Sequence, residues 1–365
     1  MREWAFELNE RWKELCIQIP ADADNPTHNS LIYLPNPSIR PGSRFREVYY
    51  WDSFWTIKGL LASGRIYYNM RSQPPLFTPM VNEYYKYTKD KEFLNDIIPM
   101  MEKELEFWTV NRSVVFEKGC RSYTMYQYRT ESTVPRPESF CADVITAIKS
   151  KEANKAKLWQ NLASAAESGM DFSCKLGERE IYSVLSETYD YNLETKENNI
   201  HFYSTMAIPL FTQCYDPLEK PSVPERIYNT MKNYGAFEKA KGAEDFYGVQ
   251  VSTVDSGQQW DAFNIWPPHE HMVVLGLFNS GKENLKQEAL YLAKKWILAN
   301  YRLYSQCIEK PMWEKLSATG TSGKGGEYLG FGWSIGTVLD FLHIFNDQIK
   351  FNSTELPNIT PKKCF

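Results

Sequence analysis

Pro41-Gly42-Ser43-Arg44-Phe45-Arg46-Glu47-Val48-Tyr49-Tyr50-Trp51-Asp52 is the stretch on which the reading of this chain turns. Its twelve residues hold two arginines, two acids and four aromatic rings. Apolar ring faces beside charged forks suit a sugar, which has flat C–H faces and a rim of hydroxyls. Tyr49, Tyr50 and Trp51 can lie against the faces, while Arg44, Arg46, Glu47 and Asp52 can hydrogen-bond the rim. The same composition also suits an aromatic core segment with surface ion pairs. Composition alone leaves both readings open.

Outward from this stretch the chain reads as helical. Trp4, Leu8, Trp12 and Leu15 predict an amphipathic helix over 2–18. Residues 19–43 read as loop, with prolines at 20, 26, 35, 37 and 41. Helices are expected over 77–88, then, after the Lys89-Asp90-Lys91 turn, on a face marked by Phe93, Ile97, Met101, Leu105 and Trp108, giving an αα-hairpin. Further helices are expected over 153–168, 224–240 and 283–303, the last with Leu285, Ala289, Leu292, Trp296 and Ala299 in phase. Period-2 runs are scarce. The fold class read from the residues is all-α, made of helical hairpins and long polar loops. No linker splits it. One domain over 1–365 is expected, with an N-terminal helix and Pro-rich loop (1–40), a helical core (41–340) and a tail (341–365).

The bulk numbers narrow the function. The 365 residues carry 41 bases against 45 acids, a net charge of −4, which gives no reason to expect nucleic acid or an anionic membrane as partner. Aromatic residues are 15% of the chain, which fits a carbohydrate cleft better than a phosphate site. The seven cysteines include no C-x-x-C pair and imply no full disulfide framework. His269 and His271, two residues apart on a helix, cannot face one ion, so no metal is expected. No apolar run approaches a transmembrane span. Met1-Arg2-Glu3-Trp4 lacks the apolar region of a signal peptide, so the cytoplasm is the expectation on this sequence, with an extracellular protein still open.

The strings between helices carry the chemistry. Arg71-Ser72-Gln73-Pro74-Pro75 reads as a rigid loop offering an arginine and an amide, or as a plain loop ahead of a helix. Arg136-Pro137-Glu138-Ser139 is charged and rigid. A helical pattern ends at Gly169, placing Asp171 just past a helix end. Gln258-Gln259-Trp260-Asp261 leads to Asn264-Ile265-Trp266-Pro267-Pro268. Trp313-Glu314-Lys315 precedes the Gly-rich loop 320–326, then Glu327 and Gly330-Phe331-Gly332-Trp333. In that loop Lys324 is followed by Gly325, which breaks the P-loop order. It reads equally as a mobile cover over a cleft or as a flexible surface loop. Glycosidic cleavage takes two carboxyl groups, set about 6.5–9.5 Å apart for inversion. Asp171, Asp261, Glu314 and Glu327 stand out among the acids, and the residues alone do not choose a pair.

Residues 41–54 closely resemble the first signature of the trehalase family, with Ser43 for a glycine and Phe54 for a tyrosine. The resemblance implies an (α/α)6 barrel of helical hairpins, inverting hydrolysis of the disaccharide α,α-trehalose to two glucose molecules, and no cofactor. It implies that Asp171 is the general acid, in a motif where Met170 replaces a tryptophan. It implies that Glu314 is the general base, with Leu316 and Ser317 replacing a tyrosine-aspartate pair. It implies substrate contacts at Arg44, Trp51, Asp52, Arg71, Ser72, Gln73, Arg136, Pro137, Glu138, Gly169 and Glu327. The second family signature falls on Gln259 to Pro268.

Two internal family segments are missing. Asp52 and Arg71 are only 19 residues apart, where the family has a further helical stretch. Another should follow Ser173, where Lys175–Glu187 runs almost directly into Thr188-Tyr189-Asp190-Tyr191-Asn192. Loss of helices from a closed barrel is expected to open the ring and expose apolar faces. That keeps two other readings beside the hydrolase: a catalytically inactive sugar-binding relative, and a disaccharide phosphorylase, although Glu314 occupies the place where a phosphate site is expected.

Overall fold

The computed structural model describes residues 1–19, 34, 36–42, 45, 48–59, 72–118, 120–170, 180–181, 191–192, 196–198, 200–218, 220–325, 330–351, 356 and 360–364. The first apolar stripe is seen as expected, with Trp4, Leu8, Trp12 and Leu15 all buried. It is split between α1 (Arg2–Glu10) and α2 (Trp12–Leu15), so the helix expected over 2–18 is broken at Arg11 and stops at Leu15. The chain then turns extended, and β1 (Cys16–Ile17) pairs antiparallel with β2 (Ser38–Ile39). That pairing satisfies backbone groups a longer helix would have used, and the Arg40 amide closes on the Leu15 carbonyl at 3.1 Å.

α3 (Asp52–Gly59) begins at the end of the opening stretch. α4 (Phe77–Thr88) and α5 (Lys91–Asn111) form the expected hairpin. Lys89 turns the chain at φ 56°, and Asp90 caps α5 by accepting from the Phe93 amide at 3.0 Å. A β-hairpin follows, β3 (Ser113–Lys118) with β4 (Arg121–Tyr126). It escaped the search for alternation because Val114, Val115 and Phe116 are consecutive apolar residues. α6 (Phe140–Lys149) and α7 (Lys155–Glu167) make a second helical hairpin. Three short strands, β5 (Glu180–Ile181), β6 (Tyr191–Asn192) and β7 (Glu197–Asn198), pair in that order.

α8 (Ile208–Phe211) and α9 (Val223–Asn233) come next. α9 ends short of the expected residue 240. Gly235 adopts φ +75°, its amide bonds the Lys232 carbonyl, and the Ala236 amide bonds the Met231 carbonyl, which closes the helix. β8 (Asn264–Ile265) leads into α10 (Pro267–Phe278) and α11 (Glu283–Ser305). β9 (Lys315–Ser317), β10 (Gly323–Lys324) and α12 (Gly332–Phe345) complete the described elements.

Burial sorts the helices into two layers. Every residue of α10 from Pro267 to Leu277 is buried, and α12 is buried over most of its length, as befits helices apolar all round. α11 lies outside α10 and buries the expected face, Leu285, Ala289, Leu292, Trp296 and Ala299. α3 lies against α12 so closely that a Cβ on Gly336 would sit 1.9 Å from the Trp55 carbonyl oxygen. Beside that contact Lys58 of α3 reaches Glu83 of α4 at 3.1 Å and Asp340 of α12 at 3.4 Å. Asp340 also meets His271 of α10 at 2.8 Å. Burial presses the Asp340 carboxyl upward, but its His271 and Lys58 partners win and hold it below the usual range.

The outer surface between residues 93 and 148 is unusually apolar. Leu105, Val110 and Ile148 are 64%, 71% and 77% exposed, and Ile98, Met100, Val115, Val134, Phe140 and Ile145 are exposed beside them in sequence. Exposed apolar faces are among the expectations from the sequence, and these side chains are exposed. No described helix is long and apolar enough to cross a membrane.

Cys307, just past α11, forms a disulfide with Cys364 near the C-terminus, across 57 residues of sequence. Loop entropy assigns such a closure about 4 kcal/mol, or roughly 5 °C for a chain of this size. Cys364→Ser is expected to lower the midpoint of thermal unfolding by that order in circular dichroism. An unchanged midpoint would show that the tail adds nothing.

Candidate active site

The opening stretch delivers Trp51 to the start of α3, and hydrogen bonds fix it there. The Gln73 side-chain oxygen accepts from the backbone amides of Tyr50 at 3.1 Å and Trp51 at 3.2 Å. Gln73 is buried and acts as a brace for the turn into the helix. Tyr50 and Trp51 are themselves buried, at 6% and 5% exposure, so the aromatic stretch does serve as core. Gly42 bridges to Phe331, and the Gly332 amide bonds the Pro41 carbonyl at 2.6 Å, tying the stretch to the start of α12.

Trp51 belongs to a floor of buried indoles, with Trp55, Trp260, Trp266 and Trp333. Its ring meets Trp333 edge-on at 5.5 Å and leans on Trp260 at 6.0 Å. Trp260 stacks on Trp266 with centroids 3.9 Å apart and planes 6° from parallel. The Lys315 ammonium lies 4.9 Å from the Trp266 ring centre, a cation–π contact. Glu314 joins this floor through its backbone, which accepts from Trp333 Nε1 at 2.8 Å. β9, directly after Glu314, is paired on both sides: Leu316 faces Ile265 of β8 and Gly323 of β10. The strands thus bring the second signature, the Glu314 segment and the Gly-rich loop together.

The Gly-rich loop, read as a mobile cover or a flexible surface loop, is packed where it is described. A Cβ on Gly323 would lie 2.1 Å from Trp313, and one on Gly325 would lie 1.9 Å from the Glu314 carboxylate. Glycine is required there by close approach. Gly169 has the same role on the other side. At φ +77° it ends α7, and a Cβ would press the Trp51 ring at 3.1 Å.

Several expected sugar-binding groups are engaged with the protein. The Arg136 backbone amide and guanidinium both hold Asp143, at 2.9, 3.0 and 2.7 Å, with both residues buried. Pro137 is exposed at the start of a single 3-10 turn. Ser72 gives its amide and its hydroxyl to Glu167, each at 2.8 Å. Glu167, fully buried, also takes the Arg112 guanidinium at 2.6 Å. Asp52 is buried in the first turn of α3. Asp261 accepts from Tyr203 at 3.0 Å, from Ser252 at 3.2 Å and from Ser256, which makes it a buried organiser of its loop. Arg44, Arg71, Asp171 and Glu327 lie outside the described residues, as does the Glu138 side chain. Sequence reasoning passed over Lys315 and Tyr203. Lys315 had a signal in its place beside Glu314; isolated Tyr203 had none.

Behind the second signature, α10 opens with three buried ionisable groups. Burial holds His269 neutral, with its pKa lowered to about 3, and its Nδ1 is 2.7 Å from the Ser204 hydroxyl. Burial pushes the Glu270 carboxyl up to about 8, against one hydrogen bond from the Val249 amide at 2.7 Å. The His269 and His271 rings are engaged with different partners, Ser204 and Asp340.

A family model for trehalase matches residues 1–66, 62–183 and 184–346. A trehalase of Apis mellifera is 32% identical over 462 positions, covering 99% of this chain and 72% of the relative. A trehalase of Homo sapiens is 31% identical over 442 positions, covering 96% and 74%. Among solved structures, a neutral trehalase of Saccharomyces cerevisiae has a TM-score of 0.65 at 17% identity, over 89% of this chain and 76% of that one. The helical layers described above are therefore those of an (α/α)6 barrel. The chain belongs to the trehalase family. The joints between matched pieces, at 62–66 and 183–184, fall where the sequence predicts missing segments. The first alignment, 462 positions against 365 residues, requires the relative to carry internal residues that this chain lacks.

Two stability measurements follow from these contacts. Arg112→Met leaves the Glu167 carboxylate buried without its cation and is expected to cost about 3–5 kcal/mol in urea unfolding. A change near zero would show that Ser72 alone satisfies Glu167. For Glu270, the ordinary carboxyl value of 4.5 applies in the unfolded chain and about 8 in the folded one. The folded chain binds more protons between them, so this group makes stability fall as pH rises through that window. Glu270→Gln cannot ionise and should gain on the native chain up to about pH 8. Parallel stability curves for the two proteins would contradict this.

Proposed function

We propose that the chain is a glycoside hydrolase that splits α,α-trehalose into two glucose molecules with inversion, using Asp171 as general acid and Glu314 as general base. The observation that carries this reading is the family match over residues 1–346, with Glu314 held beside the indole floor by Trp333. Sugar C–H faces lie well on indoles, and Trp51 is the ring the family pattern assigns to substrate. Inversion asks Asp171 to protonate the leaving oxygen while Glu314 takes a proton from water on the opposite face. Asp171 must hold a proton near neutrality, which an apolar setting favours. Arg44, Arg71, Glu138 and Glu327 complete the proposed contacts. The Cys307–Cys364 bridge supports an oxidising compartment, such as the cell exterior.

A second reading, a sugar-binding relative without turnover, rests on a specific observation. Arg136, Ser72 and Gln73 spend hydrogen bonds on Asp143, Glu167 and the backbone. Glucose release from trehalose by the purified chain separates the two. The hydrolase reading expects release, with Asp171→Asn and Glu314→Gln each reducing it by at least about a thousandfold in folded protein. Near-native activity in either variant would remove that residue from its role. Binding of trehalose without release would favour the second reading. Polarimetry or NMR of the first-formed anomers tests inversion.

A further inference from the structure

A cavity of about 410 Å³ lies on the Gly169 side of Trp51, between α5, α8 and α10. Its walls are mostly apolar, with Trp51, Trp108 from α5, Ile208 and Phe211 from α8, and Met272 from α10, and Thr78, Gln127, Ser168 and Thr205 interrupt them. They come from both sides of the joint at 183–184, since Met170 precedes it and Ile208 follows it. The size of the cavity is that of a small-molecule site, which is typically some 300–1,000 Å³ with few, well-placed polar groups.

One such group is Glu104. It lines the cavity and hydrogen-bonds the Tyr50 hydroxyl, which in turn accepts from the Phe77 amide at 2.7 Å. Burial raises the Glu104 carboxyl above its ordinary value, and the Tyr50 bond opposes that only in part. No lysine or arginine is among the described residues lining the cavity, and its histidine, His269, is held neutral. A neutral sugar brings no charge to Glu104 and would set much of its hydroxyl rim against apolar wall. An anion would meet Glu104 at close range in a low-dielectric site. A ligand that brings one positive charge and an apolar body matches both halves of the wall.

We propose that this cavity binds a small amphipathic cation, with an aromatic or branched aliphatic body against Trp108, Ile208 and Met272 and one ammonium group on Glu104. The site stands whether or not the chain hydrolyses trehalose. It is tested by titration calorimetry of the full chain with 1-naphthylmethylamine and with 1-naphthylmethanol, which differ in charge at nearly constant shape. The amine should bind saturably and about tenfold or more tighter than the alcohol. Glu104→Gln should remove the difference, and Ile208→Trp, which fills the cavity, should abolish both. Equal affinities for amine and alcohol in the native chain, or no saturable binding, overturn the proposal without reliance on any variant. Displacement of the amine by saturating trehalose would put the probe in the sugar cleft and overturn it as well.

Discussion

The approach of α3 to α12 is the constraint on which the rest of the molecule depends. It requires that Gly336 carry no side chain, because the Trp55 carbonyl occupies that space. Once the helices are this close, Trp51 and Trp55 reach Trp333 across the contact. Lys58 then sits where it can meet Asp340 and Glu83 together. Removing three charged groups from water is expensive, and their attraction offsets that only in one arrangement. Sliding α12 by a turn would leave Lys58 without Asp340 and His271 without its acceptor. The ion cluster therefore selects the helix register that places the indole floor.

Several of the polar residues that the family pattern assigns to substrate are held by the protein itself. Gln73 braces the turn into α3, Ser72 is anchored through Glu167 to Arg112, and Arg136 is clamped by Asp143. Each buried donor or acceptor that lacks a partner costs about 1–3 kcal/mol, so groups near a cleft must be satisfied from behind. Asp261, with three hydroxyl donors, does the same for the second signature. These residues order the loops whose other members the family pattern assigns to sugar.

Long helices were legible in the sequence: α5 and α11 lie on the stripes that Phe93, Trp108, Leu285 and Trp296 mark, and α4 and α7 lie close to the expected spans 77–88 and 153–168. α10 and α12 were not, because a helix buried on every side shows no apolar stripe for periodicity to find. The stop at Leu15 goes with the pairing of Cys16 and Ile17 to Ile39 and Ser38, a contact over long sequence distance that no local window contains. The Trp and Gly strings fall on loops that the structure packs together, because such residues are rarely grouped without a geometric need. The partners were hidden. Nothing adjacent to Ser72 announces Glu167, and nothing near Tyr50 announces Glu104.

The Trp260–Trp266 pair has an optical consequence. Two indoles nearly parallel at 3.9 Å have coupled electronic transitions, and coupled transitions in a chiral frame give a paired positive and negative band in circular dichroism. A cation over the outer ring, Lys315, shifts the energies of one partner relative to the other. The indole pair thus carries its own spectroscopic label. Its assembly can be followed apart from the helices that surround it, with no dye and no change of sequence.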